Sequence, residues 1–567
     1  MPDHHDVEEA LSGIGSRDHS LTAEYRIFGP PGTGKTTNLT RQIRRAVHRF
    51  GESSVLVTSF SRAAAAELAG QDLPISSDRI GTLHSHCWHA LGRPEIAEAN
   101  VEDWNRLNPH QQITPAKKLH KLDGESSEED VSESVRNGDR RLSELNRARG
   151  MLLQEETWPA ALREFAARWS QYKKSSRIMD FCDLIETSVR DLVVAPTRPS
   201  VIFADEAQDL NPMQLRLVRR WGEDTQYFII AADDDQTIYS WCGATPDAVL
   251  DPPIPDDHKI TLKQSHRVPR KVHELANRLI HQVSRRQEKL YDPRPEDGAV
   301  IPVSQGGYKS PEYWILKTVM QHLERGEKIM MLASCSYMLN PVIAVLRKWG
   351  IPFHNPYRKS NGFWNPLRLG RKGASANRIL SLLVAHPDWG DNCGPWTHRD
   401  LKSWSSWLKS TGVLKPEARL QIEQSIDSDE VTPEQLRDFF EAGPLESLLG
   451  AFQGDYRQLL EWWRRRLAAS FHSRVKFPIE VALRSGPKAL AESPKVVIGT
   501  IHSVKGGEAD VVFLFPDVSR AADAAYQRFG PDRDSVIRLF YVGVTRARKT
   551  LYICQRESSM AVTIQGK

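Results

Sequence analysis

The residues Gly29-Pro30-Pro31-Gly32-Thr33-Gly34-Lys35-Thr36 fit the spacing G-x-x-x-x-G-K-[ST]. That spacing suits phosphate: glycines let backbone N–H groups close around phosphate oxygens, and the positive end of a helix adds to their pull. Lys35 is placed to reach the β- and γ-phosphates of a nucleotide, and the Thr36 hydroxyl to ligate Mg²⁺. Thr37, next in line, is grouped with the nucleotide-binding residues. The motif needs a strand before it and a helix after it. Tyr25-Arg26-Ile27-Phe28 alternates as a strand does, and Leu39, Ile43, Val47 and Phe50 recur at helical spacing.

Two acids follow at a distance. The apolar run Val201-Ile202-Phe203-Ala204 ends at Asp205-Glu206-Ala207-Gln208-Asp209. A strand delivering acids at its C-terminal end is how the metal and water site of a P-loop NTPase is built. Asp205 is expected to hold Mg²⁺ and Glu206 to polarise the attacking water. Alone, the pair reads equally well as the acidic first turn of a helix; the upstream cradle favours the catalytic reading. A second apolar run, Tyr227 to Ala232, ends at Asp233-Asp234-Asp235-Gln236. The Gln236 amide donates and accepts at once, which suits sensing of a γ-phosphate. Tyr239 and Trp241 offer flat faces on which bases stack; packing into the core is the competing reading.

The phosphate loop by itself fits an AAA+ ATPase as well as a helicase, so the order of the other segments decides. Asp233-Asp234-Asp235-Gln236-Thr237-Ile238-Tyr239-Ser240-Trp241-Cys242-Gly243-Ala244 resembles motif III of the UvrD/Rep family of superfamily 1 helicases. Leu262-Lys263-Gln264-Ser265-His266-Arg267 resembles motif IV, Thr500 to Glu508 motif V, and Tyr541-Val542-Gly543-Val544-Thr545-Arg546-Ala547-Arg548 motif VI. Ser59-Phe60-Ser61-Arg62 resembles motif Ia, Gly81-Thr82-Leu83-His84 the family's G-T-x-H segment, and Asp180-Phe181-Cys182-Asp183-Leu184 its D-F-x-D-L segment. The resemblance spans residues 25 to 553.

What this resemblance implies is an ATP- and Mg²⁺-using DNA helicase or translocase moving 3′→5′ on single-stranded DNA. Arg267 and Arg546 would be arginine fingers, supplying fixed positive charge as phosphoryl transfer proceeds. Gln236 would couple nucleotide state to DNA grip, and Glu508 would bind the ribose. Phe60, Arg62, Thr82, His84, Tyr239, Trp241, Thr500 and His502 would face the DNA. The sequence departs from the family in three places. No glutamine stands in residues 1–28 to read adenine. His266 replaces a tyrosine at the nucleotide, where its ring can still stack on a base. Cys242 follows Trp241 where an arginine is usual. His84, His86, His89 and Cys87 invite a metal reading, but no second ligand cluster has matching spacing.

The elements that must position these residues fill a chain of 567 residues, 40% apolar and 26% charged, with a net charge of only +4. Several soluble domains are expected, and no bulk basic charge announces nucleic acid. Six scattered cysteines imply a reduced, cytoplasmic protein without a disulfide framework. No apolar run is long enough to cross a membrane. The expected fold is α/β: two RecA-like motor domains with parallel sheets, each carrying a mainly helical insertion. Residues 1–21 would be a flexible leader. Residues 22–95 and 196–255 would form the first motor and 96–195 its insertion, with a disordered stretch from Gly124 to Asp139. Residues 256–360 and 488–567 would form the second motor, with 361–487 a compact insertion whose tryptophans pack in its core. Expected partners are single-stranded DNA and single/double-strand junctions, with oligomeric state open. The rival reading is an ATP-gated, DNA-sensing subunit of a defence or recombination complex that controls a partner nuclease.

Overall fold

The computed structural model describes residues 24–116, 137–303, 306–358, 362–369 and 373–564. The expected leader lies outside them, as does most of the stretch expected to be disordered. The last three residues of that stretch correct the expectation. Asn137, Gly138 and Asp139 open the helix Asn137–Gly150. The Asp139 carboxylate accepts from the Thr114 N–H and hydroxyl, both at 2.7 Å. A local hydrogen-bond pair thus holds a segment whose composition alone reads as loose.

Packing divides the chain into two compact units. One holds Met1–Ile301, Pro516–Leu551 and Ser558–Lys567; the other holds Pro302–Phe515 and Tyr552–Glu557.

In the first unit, six strands form one sheet: β1 (Glu24–Phe28), β2 (Val55–Ser59), β3 (Ile80–Thr82), β4 (Val201–Asp205), β5 (Tyr227–Ala232) and β6 (Lys259–Thr261). Their order is β3-β2-β4-β5-β1-β6, and every pairing is parallel. Parallel strands need helical crossovers, which cover both faces and make the central strands β2, β4 and β5 mostly apolar along their length. Val55, Val57, Val201 and Phe203 point to one face, where the helix Lys35–Phe50 lays down Leu39 and Ile43. The alternate residues Leu56, Ile202, Phe228 and Ile230 point to the other. They meet Leu184 and Ile185 of the helix Phe181–Asp191, and Leu217 and Trp221 of Pro212–Gly222. Every C-terminal strand end in this sheet therefore lies on one edge. Gly29, Asp205 and Asp233, each directly after or at a strand end, are delivered there together.

Side chains from Ala97 to Ile113 and from Leu142 to Ile178 build a separate helical core, in which Trp104 and Trp169 meet edge to face with centroids 5.0 Å apart. Its base is ionic. Buried Asp180 accepts from Arg149 (2.9 Å), Lys173 (2.5 Å) and the Trp169 indole (2.9 Å), and caps the helix Phe181–Asp191. Glu98 lies beside it; burial and then the Asp180 charge push its carboxyl up to about 8.

Two further strands of the first unit, β7 (Gln264–Pro269) and β8 (Asp292–Arg294), pair in parallel. The second unit contains β10 (Ile329–Ala333), β11 (Phe353–His354), β12 (Val496–Thr500) and β13 (Ala509–Leu514). The strands β9 (Ala299–Pro302) and β14 (Ala547–Ile553), whose ends enter that unit, complete a six-stranded sheet ordered β11-β12-β10-β13-β14-β9. One apolar core runs from Met331 and Phe513 of this sheet through Trp396, Trp404, Trp407, Trp462 and Trp463 of the helical region. Trp389 is only half-buried. The fold class is as expected: α/β, with two parallel-stranded sheets. Among the described residues, no helix is long and apolar enough to cross a membrane.

Candidate active site

The loop between β1 and the helix Lys35–Phe50 is shaped by its own backbone. The Gly29 N–H donates to the Ala232 carbonyl (3.0 Å), tying the loop to the tip of β5. The Thr33 N–H and hydroxyl both donate to the Pro30 carbonyl, at 3.1 and 2.8 Å. Gly32 and Gly34 have φ of +75° and +76°, a region costly for any residue with a Cβ. At Gly32 a Cβ would also collide with Arg267. Strand β7 braces this loop: the Ser265 hydroxyl donates to the Pro31 carbonyl and the His266 N–H to the Gly32 carbonyl, each at 2.8 Å. His266 and Arg267 are therefore placed at the phosphate loop by backbone contacts. The His266 side chain is exposed, Arg267 half-buried.

Lys35 makes a close ion pair with Glu206. Burial would lower its pKa, but the carboxylates of Glu206 and Asp205 more than compensate and hold it well above the usual lysine range. Burial pushes the Asp205 carboxyl up to about 6 against the pull of Lys35. Glu206 turns off the strand in the left-handed region, φ 52° and ψ 34°. Such a conformation in a non-glycine residue costs about 1–3 kcal/mol and persists only where its surroundings impose it.

The Asp205 Oδ1 atom is buried without a hydrogen-bond partner. So are the hydroxyls of Thr58 and Ser59 on β2, which register beside Ala204 and Asp205. Leaving a buried carboxylate oxygen unpaired costs at least about 1–3 kcal/mol, so the site is built for a positively charged or donating occupant. With the Thr36 hydroxyl this is an all-oxygen donor set, the kind Mg²⁺ prefers. The residues fit the ion that the phosphate-loop motif implies.

A hydrogen-bonded path leads away from Glu206. The Gln208 Nε2 donates to Glu206 Oε2 (2.5 Å), and Gln208 Oε1 accepts from the Asp233 N–H (3.1 Å). Gln236 Nε2 donates to Asp233 Oδ2 (2.6 Å), and Arg546 Nη2 donates to Gln236 Oε1 (2.8 Å). Arg546 is held in turn by its Nε, which donates to the Val542 carbonyl at 2.9 Å. Lys35, Glu206, Gln236 and Arg546, expected from four separate motifs, thus belong to one connected cluster. Gln208 was not singled out by sequence. Its only signal was its position two residues after Glu206, which does not say where its amide reaches.

Beneath this path lies a second unexpected cluster. Asp233, Asp234 and Asp235 are fully buried, and the Lys289 ammonium approaches their carboxylates at 3.3, 2.5 and 2.9 Å. Arg286 makes a two-pronged bond to Asp235 at 2.9 and 2.6 Å, and Arg538 Nε donates to the Asp234 carbonyl at 2.9 Å.

The residues expected at DNA are divided. Phe60 and Tyr239 have ring centroids 5.2 Å apart, and Trp241 lies 6.3 Å beyond Tyr239, so the three form a row. Tyr239 is buried, and Phe60 and Trp241 are half-buried. Arg62 opens the helix Arg62–Ala69. The Thr82 hydroxyl is buried and caps the next helix by accepting from the Ser85 N–H (3.2 Å). His84 meets the edge of Phe181 at 5.8 Å, and burial holds its pKa down to about 4, so its ring is neutral at physiological pH. Of its neighbours, His86 bonds the Val57 carbonyl (3.1 Å), and burial pushes the Cys87 thiol up to about 12. Thr500, His502 and Glu508 lie in the second unit: Thr500 ends β12, His502 follows it, and Glu508 directly precedes β13. There the Thr500 hydroxyl accepts from the Ser503 N–H, and the Ser503 hydroxyl accepts from Asn355 (3.1 Å).

Residues 17–252 match the UvrD/REP helicase N-terminal domain, and residues 495–554 the UvrD-like helicase C-terminal domain. Similar proteins extend the match. The "Probable DNA helicase II homolog" of Mycoplasma pneumoniae is 23% identical, over 93% of this chain and 81% of its own length. The "ATP-dependent DNA helicase PcrA" of Staphylococcus aureus is 22% identical, over 94% and 81%. The "ATP-dependent DNA helicase Rep" of Buchnera aphidicola is 24% identical, over 60% and 54%. With both domain matches in the order that the motifs require, more than half of the chain is accounted for, and the chain belongs to the UvrD/Rep-like superfamily 1 helicases, a family of ATP-hydrolysing enzymes.

Proposed function

We propose that this protein is an ATP-driven DNA motor that moves 3′→5′ along single-stranded DNA and uses hydrolysis to separate strands or displace bound proteins. The observation that carries this reading is the connected path from Lys35 through Glu206 and Gln236 to Arg546. In it Lys35 leaves Glu206 for the β- and γ-phosphates when ATP binds, with Gly29 to Thr37 cradling the phosphates. The freed Glu206 carboxylate takes a proton from the attacking water. Water oxygen bonds to the γ-phosphorus as the bond to the β–γ bridging oxygen breaks, leaving ADP and phosphate. Thr36 and Asp205 would hold Mg²⁺, which when bound offsets phosphate charge. Arg267 and Arg546 stabilise the charge that builds on the transferring group. Glu508 binds ribose, and His266 lies at the base.

Gln236 exchanges its bond from Arg546 for one to the γ-phosphate, and the change reaches Tyr239 three residues on. Phe60, Tyr239 and Trp241 then release and recapture bases. Stacking suits a motor because it is worth about 1–3 kcal/mol per base without regard to sequence. Arg62, Thr82, His84, Thr500 and His502 complete the DNA contacts. In this reading the chain is organised as two motors with insertions, 22–95 with 196–255 around 96–195, and 256–360 with 488–567 around 361–487.

The test is ATP hydrolysis with and without single-stranded DNA, with RNA of the same sequence alongside. DNA is expected to stimulate turnover. Glu206→Gln is expected to lose about 10²–10⁴-fold of that turnover while still binding nucleotide, the usual worth of a general base. Nucleotide binding with little hydrolysis in any nucleic acid would favour a gated subunit awaiting a partner such as a nuclease. For direction, a duplex with a 3′ overhang is expected to unwind; unwinding only from a 5′ overhang would reverse the proposed polarity.

A further inference from the structure

We infer that Gln208 is the positioning residue for the hydrolytic carboxylate Glu206 and links it to Arg546. The inference rests on the reading of Glu206 as the base, and it concerns a residue to which that reading gives no role.

Gln208 is fully buried, and both ends of its amide are spent on elements of the site. Its Nε2 holds Glu206 Oε2 at 2.5 Å, and its Oε1 holds the backbone N–H of Asp233 at 3.1 Å. Strands β4 and β5 are paired neighbours, and Gln208 spans the gap between their tips. A primary amide donates from one end and accepts at the other while staying neutral. A glutamate here would set a second acceptor against Glu206, an asparagine is one methylene short, and a methionine fills the space without either bond. The chemistry at both ends therefore specifies glutamine.

The consequence concerns the two oxygens of Glu206. Oε1 pairs with Lys35 and Oε2 with Gln208. When Lys35 turns to phosphate, Gln208 still holds Oε2 and keeps the carboxylate in place. Gln208 thus fixes the orientation of the base. Its other end holds the backbone of Asp233, whose side chain accepts from Gln236, the partner of Arg546. A shift of Arg546 is felt at β5's tip and passes to the base.

The full chain with Gln208→Met is compared with wild type for basal ATP hydrolysis, ATP KM and affinity for fluorescent ADP. Turnover is expected to fall about 10- to 100-fold, as for a misplaced catalytic group, with KM and ADP affinity changed less than about twofold. Combined with Gln236→Met, the loss is expected to be no greater than the larger single loss, because both cut one path. Wild-type turnover in Gln208→Met, a loss confined to KM, or multiplying losses in the double variant would each overturn the inference. Gln208→Asn is measured in the same way and decides the matter should Gln208→Met not fold. Basal hydrolysis is the readout, so absence of DNA stimulation in the wild type would overturn the motor reading and leave this comparison intact.

Discussion

Arg546→Ala is expected to lower ATP turnover about 10³–10⁵-fold with nucleotide affinity largely retained, the effect of removing an arginine finger. Arg546 is almost wholly buried; its Nη2 donates to the Gln236 carbonyl oxygen and its Nε to the helix carbonyl of Val542. These bonds hold it in the cluster that contains Lys35 and Glu206, where its fixed positive charge can act on an anionic occupant. Arg546→Lys is expected to fall almost as far. A lysine cannot keep the backbone anchor and reach Gln236 with a second nitrogen. Single-turnover hydrolysis separates this from a binding defect. Turnover within tenfold of wild type in Arg546→Ala would reject the finger role.

The largest effect on stability is expected at Lys289. Lys289→Met should cost about 3–5 kcal/mol, the range for breaking a buried ion cluster from one side, out of the roughly 5–15 kcal/mol that holds a domain together. The Lys289 side chain is 1% exposed and lies within 3.3 Å of three carboxylates that are themselves fully buried. Burial would pull its pKa down; Asp235, Asp234 and Asp233 instead hold it well above the ordinary range. Burial raises the Asp234 pKa even with Lys289 present, whereas Lys289 and Arg286 overcome burial at Asp235 and hold it low. Removing the ammonium raises these carboxyls in the folded state, while in the unfolded chain they stay near about 4. A carboxyl with a raised folded pKa stabilises below its unfolded value and loses that contribution as pH climbs through the folded one. The deficit of Lys289→Met should therefore be larger at about pH 8 than at about pH 5. Urea unfolding at both pH values measures it. An unchanged midpoint at the higher pH would show that Arg286 and Arg538 neutralise the cluster without Lys289.

Much of the site could be read from residue order because its chemistry is local. The phosphate loop needs glycines at Gly32 and Gly34 for left-handed turns and Lys35 one residue later, all within a single strand–loop–helix unit. The acids of Asp205-Glu206 follow an apolar strand directly. Strand type was equally legible, since a parallel strand covered on both faces has to be apolar along its length. Composition misled where a few hydrogen bonds outweigh it, as at Asn137 to Asp139, where the Thr114–Asp139 pair secures a helix start.

What the sequence by itself determined is the family and its α/β fold of parallel sheets, with the glycines, acids and arginines of its motifs in their order. What only the tertiary structure decided is which of these groups touch. Gln208 meets the Asp233 backbone across 25 residues of chain, Lys289 meets Asp234 across 55, and Arg546 meets Gln236 across 310. No periodicity or spacing rule covers such separations. The pairings depend on which strands become neighbours, and that is settled by burying both faces of a sheet. Gln208 is one more polar residue in an acidic string until β4 and β5 lie side by side, and only then does its amide have two partners to join.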